Sequence, residues 1–202
     1  MSNRRGTLYV VSAPSGTGKD TVVRELLSHH PEIAFSVSCT TREPRPGEQE
    51  GVDYWFVSPE RFDEMIEKGE FLEYARYTGT SYGTPAAPAD EAVNSGRDMI
   101  LVIETVGAQL VKQKRPDAVL IFLVPPSFEE LERRLRGRGT ETEEQIAARM
   151  EKARAEVVSM GEYDYIVCND TVEMAVSDIE AIIRSEQLKT EKCLNAVKGG
   201  LK

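Results

Sequence analysis

The chain is poor in the residues and segments that mark specialised classes of protein. Cysteine is scarce: Cys39, Cys168 and Cys193 are the only three in 202 residues. They are widely spaced and odd in number, so they offer neither a disulfide framework nor a metal-binding spacing. Cys39 and Cys168 fall in apolar runs and read as core side chains. The two histidines, His29 and His30, end a helical pattern, where capping accounts for them. No secretory segment opens the sequence and no apolar run is long enough for a bilayer, so a cytoplasmic protein is expected. Internal repeats and low-complexity stretches are also missing. Nor is there a basic excess: 25 Lys and Arg face 34 Asp and Glu, a net charge of −9. That balance excludes a general nucleic-acid binder, although local arginines can still hold a small anion. The length suits one sizeable domain with a single core.

What the chain does have begins at residues 8–21, Leu-Tyr-Val-Val-Ser-Ala-Pro-Ser-Gly-Thr-Gly-Lys-Asp-Thr. An apolar run, a small-residue loop and a helical pattern follow one another, the context of a phosphate-binding P-loop. Gly16 and Gly18 allow backbone N–H groups to turn inward, toward an anion at the helix start. Lys19 adds a full positive charge beside the phosphates. The general pattern is G-x-x-x-x-G-K-[ST]; here Ala13 replaces the first glycine and Asp20 the final hydroxyl residue. A carboxylate beside a triphosphate repels it unless a cation lies between, which marks Asp20 as a candidate Mg²⁺ contact.

Four apolar runs, at residues 8–11, 99–103, 119–124 and 165–168, are nearly continuous, and residues 36–39 read as a fifth. Continuous runs suit strands buried on both faces of a parallel sheet. Between them, Phe128, Leu131 and Leu135 share one helical face, and Val172, Val176, Ile179 and Ile183 another. The alternation predicts an α/β fold with its ligands at the carboxyl ends of the strands. Residues 41–95 break the rhythm with aromatic, alternating pieces that read as a small antiparallel insertion. Residues 136–142, with two glycines and two arginines between helices, read as a mobile basic lid. The polar tail from Gln187 onward reads as a fraying extension of the last helix.

A second cationic loop, Thr-Thr-Arg-Glu-Pro-Arg-Pro-Gly-Glu, occupies residues 40–48. Its arginines suit phosphate oxygens bidentately, and Tyr54 and Tyr82 supply hydroxyls. Here the sequence resembles a known family. Ser-x-Thr-Thr-Arg-x-x-Arg-x-Gly-Glu at 38–48, followed by Gly-x-x-Tyr-x-Phe-Val-Ser at 51–58, is similar to the GMP-binding segment of guanylate kinases. The similarity continues at 69–73, 82–85, 125–127, 138–141, 163–165 and 169–170, covering residues 6–184.

The resemblance implies a P-loop nucleoside-monophosphate-kinase-like, three-layer α/β fold. Its parallel core would span about residues 6–35, 97–126 and 157–184, its antiparallel GMP-binding insertion 36–96 and its lid 127–156, with a helical tail at 185–202. It also implies transfer of the γ-phosphoryl of ATP to GMP, and to dGMP, with Mg²⁺ accompanying ATP, for guanine nucleotide recycling. The acceptor is a phosphate monoester, whose second pKa of about 6 leaves its oxygen anionic near neutrality, so no general base is required. Positioning and positive charge carry the step. The residues expected at ATP are Ser12, Ala13, Pro14, Ser15, Gly16, Thr17, Gly18, Lys19, Asp20 and Thr21, with Asn169 near the adenine. Those expected at GMP are Ser38, Arg42, Arg45, Tyr54, Glu73, Tyr82, Thr84 and Glu104. Lys19, Arg42, Arg134, Arg138 and Arg149 are the expected catalytic cations, whereas Arg133 and Arg136 read as solvated helix charges. Glu73 and Glu104 would accept from guanine N1–H and N2–H₂, a pattern that rejects adenine, and Ser38 and Thr84 would donate to O6.

Three positions depart from the family. Its Leu-Glu-Ile-Asp-x-Gln-Gly segment here reads Leu101-Val102-Ile103-Glu104-Thr105-Val106-Gly107. The acid missing at Val102 and the one gained at Asp20 suggest an exchange of Mg²⁺-orienting carboxylates between neighbouring strand ends. These departures leave two alternatives: a protein-binding module derived from the same fold, and a related small-molecule kinase. The implied partners are ATP and GMP, with no nucleic acid, membrane or obligate protein partner.

Overall fold

The computed structural model describes residues 5–137, 139 and 141–194. Strand β1 (Leu8–Ser12) leads into helix α1 (Lys19–His29), followed by β2 (Ala34–Phe35) and β3 (Cys39–Thr40). Then come β4 (Trp55–Phe56), α2 (Pro59–Glu67), β5 (Phe71–Tyr77), β6 (Thr80–Pro85) and α3 (Ala86–Asn94). The chain returns through β7 (Met99–Val102), α4 (Thr105–Lys114) and β8 (Val119–Val124). It ends with α5 (Phe128–Gly137), α6 (Glu143–Val157), β9 (Tyr165–Cys168) and α7 (Val172–Gln187).

Five strands form a parallel sheet in the order β2-β7-β1-β8-β9. The two faces of β1 show why its run is apolar throughout. Tyr9 and Val11 pack with Val22, Leu26 and Ile179 from α1 and α7. Leu8 and Val10 pack with Val93, Ala108 and Val111 from α3 and α4. Each face is covered by helices, which gives three layers. Truncating Leu26, which is fully buried, to Ala would cost about 2–5 kcal/mol of stability.

A second sheet, β4-β3-β6-β5, is built from the inserted segment. It corrects the expectation of a purely antiparallel unit: β3 pairs antiparallel with β6 but parallel with β4. It also corrects the strand expected at 36–39. Ala34 and Phe35 pair with β7, whereas Cys39 and Thr40 already belong to the second sheet. Residues 36–38 carry the chain between the two sheets, so the apolar run is divided.

Cys168 is a further correction. It is exposed, not core, because β9 is the sheet edge and its inward face carries Val167 and the partly buried Tyr165. The last helix also stops sooner than a continuous extension would. It ends at Gln187, Leu188 is its C-cap, and residues 190–194 form a separate helical turn. Residues 195–202 of the tail lie outside the described residues. Helix α6 begins with a capping box in which the Thr142 hydroxyl accepts from Gln145 N–H and Gln145 Oε1 accepts from Thr142 N–H.

Candidate active site

At the carboxyl end of β1 the chain turns through residues 13–18 into α1. Gly16 and Gly18 adopt φ of 91° and 92°, a region glycine enters without steric cost. A Cβ on Gly16 would also lie 2.6 Å from Leu135 Cδ2. Gly18 is the N-cap of α1 and no side chain caps it. The first-turn amides and the helix dipole therefore face an anion site. The loop is held from outside. Asn169 Nδ2 donates to Thr17 O over 2.6 Å, and Ser15 N–H donates to Glu156 Oε2 over 3.1 Å. The buried hydroxyl of Thr17 has no partner among the described residues.

Lys19 Nζ reaches across the sheet edge to Ile103 O at 3.3 Å. Burial pushes its ammonium below the ordinary lysine value, opposed by the charges of Asp20, Glu104 and Glu156. The loop borders a cavity of about 270 Å³ whose lining includes Lys19, Asp20, Glu104, Arg149, Lys152 and Glu156. Residues 149, 152 and 156 fall on one face of α6 at helical spacing, which brings all three over the loop.

The inserted sheet and α4 enclose a second cavity of about 730 Å³. Ser38, Tyr54, Glu73, Tyr82 and Glu104 line it. Lys19, Glu104 and Lys152 line both cavities, so the two spaces meet at these side chains.

Glu73 is buried, and burial raises its pKa above the usual carboxylate range, partly offset by the Thr84 hydroxyl and the Lys114 ammonium. Thr84 Oγ1 donates to Glu73 Oε1 over 2.6 Å and does not line the cavity. Its expected role as a free donor is thus corrected: the hydroxyl orients Glu73. Gly107 packs so closely behind the carboxylate that a Cβ there would meet Glu73 Oε2 at 2.9 Å. Glu104, at the N-cap of α4, has both oxygens engaged: Oε1 with Lys152 Nζ at 3.2 Å and Oε2 with the Tyr77 hydroxyl at 3.1 Å. Burial, with Glu104 beside it, pushes the Tyr77 phenol up to about 12.

Behind Tyr54 stands Arg42. Its guanidinium lies 5.3 Å from the Tyr54 ring centroid and grips Glu48 through two hydrogen bonds of 2.8 and 2.9 Å. This fork, with Arg45 N–H donating to the same carboxylate, holds Glu48 down at about 2. Arg45 is exposed on the same loop. The pairing fixes the plane of Arg42.

The expected catalytic arginines separate. Arg149 faces the phosphate-loop cavity and pairs with Glu141 at 3.0 Å. Arg134 does not line it: its guanidinium donates to Glu130, Asn169 O and Asp170 O over 2.7–2.9 Å. It pins α5 to the loop that carries Asn169, a positioning contact in place of the expected catalytic one. Arg138 lies outside the described residues. Arg136, expected to be solvated, bridges Glu132 and Glu143 at the surface.

Sequence reasoning missed Lys152, Glu156 and Tyr77. The i, i+3, i+7 spacing from Arg149 signalled that Lys152 and Glu156 share its helical face, but not that this face meets the phosphate loop. Asn169 was expected near the adenine; its amide is instead seen bracing the loop backbone.

A phosphate loop at the edge of a parallel sheet, opening into a second cavity, defines a P-loop kinase-type α/β protein. Comparison with known proteins narrows the class. The guanylate kinase family profile matches residues 5–186. The chain is 50% identical to a guanylate kinase of Halalkalibacterium halodurans over 96% of its length and 95% of the relative's. It is 48% identical to one from Clostridioides difficile over 98% and 96% of the two chains. The crystal structure of a guanylate kinase from Anaplasma phagocytophilum matches with a TM-score of 0.76 at 37% identity, covering 95% of this chain and 92% of that one. The chain belongs to the guanylate kinase family.

Proposed function

We infer that the protein transfers the γ-phosphoryl group of ATP to GMP, giving ADP and GDP. The observation that carries this reading is the junction of the two cavities at Lys19, Glu104 and Lys152. Donor phosphates on the loop and an acceptor in the second cavity would be brought together there. In this reading the loop amides and Lys19 hold the ATP phosphates. Tyr54, Tyr82, Arg42 and Arg45 hold the acceptor phosphate, and Glu73 and Glu104 accept from guanine N1–H and N2–H₂ while Ser38 donates to O6.

The transfer breaks the bond between the γ-phosphorus and the β,γ-bridging oxygen, and forms one from that phosphorus to a GMP phosphate oxygen. ADP leaves with the bridging oxygen. No base is required, because the attacking oxygen is already anionic. The barrier lies in bringing two anions together, which in-line positioning and surrounding cations lower. Arg149, over the phosphate cavity, supplies one such cation.

Among the described residues no cluster of three His, Cys, Asp or Glu side chains suits a metal ion. Asp20 lines the phosphate cavity, which fits an ion that arrives with ATP and takes one carboxylate from the protein. Mg²⁺ held there would neutralise phosphate charge, directly or through water. With nucleotides as substrates and three free thiols, we place the enzyme in the reducing cytoplasm.

Release of ADP from ATP in the presence of GMP tests the activity. Turnover that depends on GMP supports it, and a protein that binds GMP without releasing ADP would be a binding module.

A further inference from the structure

The contact between Lys152 and Glu104 lies where the two cavities join, and it occupies an oxygen that the proposed reading assigns to guanine. Glu104 Oε1 is engaged by Lys152 Nζ at 3.2 Å, and Oε2 accepts from the Tyr77 hydroxyl at 3.1 Å. A guanine donor at this carboxylate competes with both for its negative charge and weakens their hold. The lysine contact is an open one. The Lys152 side chain is 49% exposed and that of Glu104 54%, and ion pairs so open to solvent contribute little to stability.

A displaced Lys152 does not leave the site. Helix α6 fixes its Cα between Arg149 and Glu156, both of which line the phosphate cavity. Glu156 Oε1 lies 3.6 Å from Lys152 Nζ, while its other oxygen accepts from Ser15 N–H in the loop. The ammonium therefore sits between its anchor at the base cavity and the phosphate cavity that Lys19 also lines.

We propose that Lys152 is a catalytic cation of the phosphoryl transfer, restrained by Glu104 until the acceptor's base takes that carboxylate. It rests on the GMP reading of the second cavity and adds to it a link between the two substrates. Guanine binding frees a positive charge, and that charge moves to the phosphates between donor and acceptor. Binding of either nucleotide then favours the other, as linkage requires. Without an acceptor the cation stays with Glu104, which limits transfer of the phosphoryl group to water.

The test measures the affinity of the full-length protein for adenylyl imidodiphosphate with and without GMP, and steady-state kinetics, in wild type, Lys152→Met, Lys152→Arg and Glu104→Gln. In wild type, GMP tightens binding of the ATP analogue several-fold. Lys152→Met abolishes that tightening and lowers kcat by about 10²-fold with a smaller change in the KM for GMP, on the scale of losing one charge-stabilising group. Lys152→Arg restores most of both. Glu104→Gln releases the lysine, so the analogue binds more tightly without GMP. Wild-type coupling and kcat in Lys152→Met would overturn the proposal while leaving the kinase reading intact. A wild-type enzyme that shows no GMP-dependent turnover would overturn both.

Discussion

Thr84 donates its hydroxyl proton to Oε1 of Glu73 over 2.6 Å, and both residues are buried beside the second cavity. The bond fixes the carboxylate's orientation and leaves Oε2 toward Gly107. Burial raises the Glu73 pKa above the ordinary 4.5, and only the ionised form accepts from guanine on both oxygens. As pH falls through the raised pKa, the acceptor is lost and the KM for GMP rises. Glu73→Gln removes this acidic limb and lowers kcat/KM for GMP by about 10²-fold or more, because the amide presents a donor to donors. The same shift sets the sign for stability. A carboxyl with a raised folded-state pKa lowers stability as pH rises through that pKa, so Glu73→Gln gains on wild type toward neutral pH. Kinetics and thermal melts across the acid range check both effects.

Gly107 tests the geometry from behind. Its added Cβ in Gly107→Ala would press on Glu73 Oε2 at 2.9 Å. The carboxylate must shift, and a displaced positioning group costs roughly 10- to 10²-fold in kcat/KM for GMP. The backbone does not suffer, since replacing a helix-interior glycine by alanine adds about 0.5–1 kcal/mol of stability. The variant should melt no lower than wild type, keep its KM for ATP and lose GMP efficiency.

Asn169 braces the phosphate loop through its 2.6 Å bond to Thr17 O. Asn169→Ala leaves that buried carbonyl without its side-chain donor, at a cost of about 1–3 kcal/mol. The loop loosens, so the KM for ATP rises while that for GMP changes less. Denaturant unfolding and paired substrate titrations measure the two consequences.

Asp20 and Val102 stand close to the same sheet edge: Val11 pairs with Val102 one residue before β1 ends, and α1 carries Asp20 in its first turn. The loop and the end of β7 are thus neighbours, the arrangement on which the suggested exchange of carboxylates depends. Asp20→Ser is expected to raise the Mg²⁺ concentration required for half-maximal turnover and to weaken Mg²⁺-dependent ADP binding in calorimetry. Adding Val102→Glu should restore part of both. An unchanged Mg²⁺ dependence in Asp20→Ser would show that its carboxylate only charges the helix start.

The core was legible because β1, β7 and β8 are covered on both sides, which forces continuous apolar runs. The phosphate loop was legible because its glycines and Lys19 are adjacent in sequence. β2 was misplaced because only Ala34 and Phe35 pair with β7, too short a signal to separate from the run that follows. Cys168 was misread because an edge strand can be as apolar as a buried one: Ile166 on the same strand is 52% exposed. The arginines could not be ranked from sequence. Arg134 and Arg149 differ in which neighbouring element their helix faces, and only the packing of α5 and α6 decides that. Lys152 went unnoticed for the same reason: an exposed lysine on an acidic helix gains meaning only from Glu104, 48 residues away.

The joined cavities, with Glu73 and Glu104 in the second, suit one donor and one guanine-selective acceptor. The direct measurement follows a label in the γ-phosphoryl group of ATP while GMP, dGMP, AMP and ribose 5-phosphate are offered in turn. The account predicts label in GDP, with AMP and ribose 5-phosphate accepting it at least about 10²-fold less efficiently, the scale set by leaving guanine-reading groups unpaired. Equal transfer to AMP or ribose 5-phosphate, or label passing to water regardless of GMP, would contradict it.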